Sequence, residues 1–365
     1  MKIMRKTAVL FLSALVLMAS SIAAKPEAGA RLKFSPLPFE VKSTFAERKT
    51  TAHVFADPGY RIWGMAVIQW ADGKYHGYYA RWPEALGHDG WMTHCEIAHA
   101  VADQSEGPFQ YVNTVLESRN PDGWDVNNAH NPAICVVDGK ICLYYIANDL
   151  RPLYKGDFKT DYPDMEWFQA NRKLVRNAQR IGVAIASDPA GPFVRSKEPV
   201  VVPHGRFINI AVNPAVCYVD GTYTMIMKGD DANKPDTWFR IQLVGHSQFP
   251  EGPFTFQQQP VYSKKQTEDA GIWFDQKAGR YYMACHVMGK RDLALFSSND
   301  GKLWQPDRQR VFMKKQFRLA DGSVWKPDRV ERPFILTDDS GKPVMLYLAV
   351  ADKDINGNIA VKFNN

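Results

Sequence analysis

The sequence predicts an all-β chain folded as a five-bladed β-propeller with four-stranded blades. Three observations carry that prediction. A hairpin unit recurs five times, a strand-and-turn unit follows it in the same order, and no long amphipathic helix pattern interrupts them.

The hairpin units are GMAVIQWADGKYHGYYA from Gly64, NPAICVVDGKICLYYIA from Asn131, NPAVCYVDGTYTMIMKG from Asn213, DAGIWFDQKAGRYYMACH from Asp269 and RPFILTDDSGKPVMLYLAV from Arg332. Each joins an apolar strand to a strand rich in Tyr, Met and Leu through a Gly-containing turn, often Asp-Gly, a strong hairpin signal. They start roughly 55 to 80 residues apart, which suits four strands per repeat. The following unit is a strand ending in Gly-Pro-Phe, as in EIAHAVADQSEGPFQY, RIGVAIASDPAGPFVR and IQLVGHSQFPEGPFTF, with LALFSSNDGKLWQP as the fourth copy. Pro after Gly turns the chain tightly into an outer strand. The stretch from Arg31 to Val54 is left to supply the outer strand that closes the last blade. An open β-sandwich is the competing reading, disfavoured because both halves of the unit recur in one order. The segment from Asp149 to Gln179 breaks the rhythm and reads as a long loop over one face.

The N-terminus carries Lys2, Arg5 and Lys6, an apolar run from Ala8 to Met18, then Ser20, Ser21, Ala23 and Ala24. That order is a cleavable secretory signal over residues 1–24, too short for a permanent span, so a periplasmic or secreted single domain over 25–365 is expected. Five cysteines do not form a disulfide framework by spacing. Cys135 and Cys142 should face each other across a hairpin, as a disulfide or, better suited to that geometry, as two buried small hydrophobes. The net charge of +6 comes from 45 basic and 39 acidic residues scattered along the chain. No basic tract of the nucleic-acid-binding kind and no later membrane segment is present, whereas mild basicity suits an acidic carbohydrate.

In a propeller the inner strands begin around a central channel, so the residues at each repeat start converge. These are Trp63 with Gly64, His130 with Asn131, Asn213, Glu268 with Asp269, and Glu331 with Arg332. The end of each second strand and the start of the third add Arg81, Lys228, His286, Glu96 and Arg180. Such a mixture is costly to gather unless a ligand uses it. Glycosidic hydrolysis needs one carboxyl group as acid and another as base or nucleophile. Glu268 and Asp269 alternate on a strand and should face apart, so one of them is expected to work with a carboxylate of another blade, such as Asp125 in WDVNNAHNP. Glu331 and Arg332, adjacent and opposite in charge, suit a structural or substrate-orienting role. No motif with metal-ligand spacing is present, and no cofactor is expected.

The Asn-Pro and Asp-rich strand starts resemble the five-bladed propeller glycoside hydrolases of families 43, 32 and 117. The stretches ADGKYHGYYARWP, GWMTHCEIAHAVAD, GWDVNNAHNPAI, QRIGVAIASD and ERPFIL resemble bacterial proteins grouped only as glycoside hydrolase family proteins. The resemblance implies an exo-acting, inverting glycosidase acting on a plant or algal-type polysaccharide or oligosaccharide. In those families an Asp at the start of blade one is the base or nucleophile, helped by an Asp in blade two and a Glu acid further along. Here the blade-one position is Gly64, and Asn213 cannot act as an acid. Asp57 substitutes only if its loop returns to the channel. The implied catalytic set is therefore Asp125, Glu268, Asp269 and Glu331, with Glu96 in reserve. Trp63 and Trp124 are candidate sugar platforms, and Arg81, Arg180, Lys228 and Arg332 candidate binders of an acidic group. A non-catalytic glycan-binding propeller and a uronate lyase using His130 or His286 are the alternatives.

Overall fold

The computed structural model describes residues 32–364; the expected signal segment at 1–24 lies outside the described residues. Five antiparallel four-stranded sheets follow one another around an axis. Their inner strands are Tyr60–Gln69, Asn127–Val137, Phe207–Val219, Thr267–Asp275 and Arg329–Thr337, and each touches the next, the fifth returning to the first. The repeats predicted from sequence are these blades.

The strands are apolar on both faces because each blade is sandwiched between two others. Five hydrophobic clusters result, one per interface. Met65 and Tyr79 of blade one meet Met345 and Tyr347 of blade five, for example, while Ile97 and Leu116 meet Leu143 and Tyr145 of blade two. The remaining interfaces are built the same way. The Gly-Pro-Phe turns at Gly107-Pro108, Gly191-Pro192 and Gly252-Pro253 carry cis peptide bonds and lead into the outer strands.

Closure uses both ends of the predicted stretch: Phe34 bridges Phe363 beyond the last strand of blade five, and the regular strand pairing comes at the other end. Val54–Phe55 is the outer strand of blade five, pairing Val54 with Ile359 and Phe55 with Asn358. The residues before it form a short helix, Val41–Ala46, whose Val41 and Phe45 are buried against blade five. Cys135 and Cys142 do oppose each other across the hairpin, and all five cysteines are free thiols.

The segment expected to be a loop from Asp149 to Gln179 contains two helices, Met165–Ala170 and Arg172–Asn177. Asp164 caps the first, accepting from Trp167 N–H at 2.8 Å. Phe168 and Val175 bury against Met92, Val126 and Leu150, so the excursion is a packed strap. Among the described residues no helix is long and apolar enough to cross a membrane.

Candidate active site

All five inner strands carry a β-bulge at the same place. Ladder register shifts between Trp63 and Met65, His130 and Ala133, Val212 and Ala215, Glu268 and Gly271, and Glu331 and Phe334. The residue inside each bulge has a left-handed backbone: Gly64 (φ 66°), Asn131 (51°), Asn213 (54°), Asp269 (56°) and Arg332 (53°). Gly, Asn and Asp tolerate that region, which explains four of the five residue types; Arg332 holds it under strain.

The bulge overturns one expectation. Strict alternation would have sent Glu268 and Asp269 to opposite faces, but the extra residue turns both toward the channel, and both line the central cavity. The bulge residues also bond to one another around the axis. Asn131 Nδ2 donates to Asn213 Oδ1 at 2.9 Å, and Asn213 Nδ2 donates to Asp269 Oδ1 at 2.6 Å. Arg332 Nη1 lies 3.6 Å from that same oxygen. The Arg332 side chain then passes over Gly64, where an added Cβ would stand 3.4 to 3.5 Å from Arg332 Cβ, Cγ and Nε. The space beside the missing blade-one acid is thus filled by an arginine. Glu331 and Arg332 do not pair with each other: Arg329 Nε donates to Glu331 at 3.1 Å, and Arg332 faces Asp269.

Above this belt opens a cavity of about 970 Å³. Trp63, Trp82, Trp91 and Trp238 supply aromatic wall, a surface suited to sugar rings. Nine Lys and Arg side chains line it against four carboxylates, Glu268, Asp269, Glu331 and Asp354. The strap covers one side. Arg172 reaches Asp89 of the blade-one loop at 2.6 Å, and Arg176 reaches Asp230 of blade three at 3.1 Å.

The carboxyl groups at the cavity floor are driven apart in protonation. Burial opposes ionisation of Glu268, but Lys228 Nζ at 2.9 Å, His286 at 3.6 Å and Arg240 at 3.3 Å outweigh it and hold the carboxyl far below the usual range. Glu331 is pushed up, first by burial, then by repulsion from Asp269 and Glu268, with Arg329 opposing. Asp269 is 4% exposed, and among the described residues its Oδ2 has no hydrogen-bond partner. His130 is kept neutral, lowered to about 3 by burial, then by Arg332 and Lys228, and Gln179 Nε2 sits 3.1 Å from its Nε2.

Trp63, His130, Asn131, Asn213, Lys228, Glu268, Asp269, Glu331 and Arg332 all line the cavity. Seven residues considered for the site do not. Asp125 is 1% exposed and enclosed by Asn120 (2.6 Å), Tyr145 (2.7 Å) and Arg195 (2.6 Å), so it fastens blade two rather than meeting a ligand. Arg81 stacks between Tyr60 and Tyr111 and bonds Glu96 at 2.7 Å and Asp57 at 3.0 Å, a network that consumes all three groups. Asp57 therefore does not return to the channel. Arg180 donates to the carbonyls of Asn177, Gln179 and Asn209. His286 stands behind Glu268 and acts on the cavity only through it. Trp124 is buried in the interface of blades one and two.

Arg61, His88, Trp91, Arg176, Trp238 and Arg329 line the cavity without having been expected there. Arg61 and Arg329 lie two residues before Trp63 and Glu331, the spacing that returns a strand side chain to the same face, so the period of two was the available signal. The others come from the connections between strands, Trp91 and Arg176 on short helices within them, and these connections carry no repeat. Among the described residues no group of three His, Cys, Asp or Glu side chains is placed to hold a metal ion.

No protein-family model matches the chain, and no curated protein matches it in sequence. Solved structures do match. Zg3597, a family 117 glycoside hydrolase from the marine bacterium Zobellia galactanivorans, aligns with a TM-score of 0.59 at 14% identity over 92% of this chain and 90% of that one. A thermostable family-43 glycoside hydrolase aligns at 0.58 and 14% over 86% and 92%. Sucrose-6-phosphate hydrolase from Lactobacillus gasseri aligns at 0.58 and 13% over 89% of this chain and 63% of that one. The chain has the five-bladed propeller fold that these hydrolase structures share.

Proposed function

We propose that the protein is a glycoside hydrolase acting on an acidic oligosaccharide or polysaccharide of plant or algal type. The observation that carries this reading is the protonation split at the cavity floor: Glu331 is held toward its protonated form beside two other carboxyl groups, under a tryptophan-lined cavity. Glu331 is the general acid and protonates the leaving oxygen. Asp269, with Oδ2 free, takes a proton from the attacking water. Glu268 contacts the cavity as a permanent anion; it raises Glu331 and keeps Lys228 and Arg240 in place. Water attack opposite the leaving group inverts the anomeric centre. The strap over one side of the cavity supports exo-action, since a chain end fits such a pocket more readily than a chain interior. The surplus of cations over carboxylates in the lining supports an acidic substrate.

The test is a turnover screen of the purified protein on neutral, uronic and sulfated oligosaccharides, with the first-formed anomer followed by NMR. Release of an inverted monosaccharide by the wild type but not by Asp269→Asn supports the reading. Arg332 beside Gly64, in place of an acid, favours the second reading of a glycan-binding propeller. Binding to the same panel with no product would establish it. An unsaturated, ultraviolet-absorbing product would instead make the neutral His130 the base of a lyase.

A further inference from the structure

Arg61 differs from the other arginines around it, among which Arg332 also has a buried Nε and Nη1 without hydrogen-bond partners but faces the Asp269 carboxylate at 3.6 Å. Lys228 and Arg240 are engaged by Glu268, Arg329 by Glu331, Arg172 by Asp89 and Arg176 by Asp230. Arg61 has no carboxylate partner among the described residues, and its buried Nε has no hydrogen-bond acceptor. A buried donor left open in a cavity wall is an uncommon feature that a ligand acceptor would satisfy.

Its surroundings concentrate positive charge. His88 is lowered by burial first, then by Arg329, Arg61 and Arg172, with Asp89 opposing, so three guanidinium groups act on one imidazole. The Arg329 guanidinium lies over the Trp63 indole at 5.4 Å from the ring centroid. Arg61 and Trp63 share one face of the same inner strand, and both line the cavity. This wall is separate from the carboxylate floor, where cations are already neutralised.

We propose that Arg61 is the anchor for a carboxylate or sulfate group on the substrate's sugar ring, with Arg329 sharing the anion and Trp63 carrying the ring. The inference rests on the carbohydrate reading of the cavity given above. A guanidinium presents two parallel N–H groups that match the paired oxygens of either anion, and a neutral sugar offers no equivalent acceptor.

The experiment is calorimetric titration of the purified protein at low ionic strength with D-glucuronate, D-glucose 6-sulfate and D-glucose. The wild type is compared with Arg61→Gln and Arg61→Lys. At least one anion is expected to bind saturably, with glucose about tenfold weaker or more; Arg61→Gln should weaken the anion by about tenfold and leave glucose within about twofold. Arg61→Lys should recover only part of the loss, because a point charge lacks the fork, and it carries the test alone if the Gln variant does not fold. The two anions distinguish a uronate from a sulfated sugar. Unchanged anion binding in the variants, glucose binding as tight as both anions, or no binding of either anion overturns the proposal. Anion binding that needs Arg61 without turnover on any substrate retains the anchor and removes the hydrolase; turnover of neutral oligosaccharides that ignores Arg61→Gln does the reverse.

Discussion

Glu331 and Glu268 show how residue type alone conceals a role. Both are glutamates one residue before a bulge on neighbouring inner strands, yet one is held toward the acid form and the other is a fixed anion. The difference lies in partners from other blades: Lys228 and Arg240 beside Glu268, two carboxyl groups beside Glu331. Glu268→Gln removes a negative neighbour of Glu331 and frees two cations, so both effects lower Glu331. The alkaline limb of the pH–rate profile should move to lower pH, by about half a pH unit or more. A limb that stays in place, or moves upward, contradicts this electrostatic account. Gly64 offers a second residue-scale test. Its φ of 66° makes Gly64→Ala strained by about 1 kcal/mol, whereas Gly64→Asn should be milder because Asn holds the same backbone at 131 and 213. Denaturant midpoints for the two variants check the order. These residues were legible as candidates from their place at repeat starts, but their protonation was not, since it depends on contacts between residues far apart in sequence.

At the scale of elements, the strap was the least legible part. Its sequence, from Asp149 to Gln179, has neither the period of a strand nor enough length for an evident amphipathic helix, and its two helices are only six residues each. They are held by tertiary packing of Phe168 and Val175 and by two ion pairs of unequal burial. Asp230 is 2% exposed on its side chain and Arg176 14%, whereas Arg172 and Asp89 are about half exposed at 51% and 43%. Arg176→Ala leaves a buried carboxylate with only Asn209 as a donor and should destabilise by about 3 kcal/mol. Arg172→Ala should cost less than about 1 kcal/mol, because water solvates both partners. Chemical denaturation of the two variants measures the difference; equal losses would mean that the strap is not anchored through blade three. The bulges were equally hidden at this scale. Asn-Pro after a strand start was visible at residues 131 and 213, but its left-handed backbone, which places two successive side chains in the channel, emerges only from the ladder register.

The whole molecule was the most legible, because five copies of one hairpin and its following strand impose closure almost without reference to side-chain detail. Even the closing strand was anticipated in place, although within the stretch the regular pairing with blade five is reached only at Val54, preceded by an isolated bridge from Phe34 to Phe363. Val54→Asp, at a position 2% exposed between two blade faces, should lower stability by about 3 kcal/mol or more by burying a carboxylate in the seam. Acid sensitivity is also a property of the whole fold. His99, stacked between His76 and Tyr78, is lowered by burial to about 4 from its ordinary 6.5. The unfolded chain therefore binds this proton more readily, and the stabilising contribution, complete above about pH 6.5, is lost as pH falls toward 4. Melting temperature should drop through that window, and His99→Asn should flatten the drop; an unchanged slope would remove His99 as its source. The central claim, that Glu331 delivers the proton for glycosidic cleavage, is tested most directly by comparing kcat/KM of the wild type and Glu331→Gln on the oligosaccharide that the screen identifies. A loss of about a hundredfold or more with wild-type melting is the predicted result. Turnover undiminished in Glu331→Gln would contradict it.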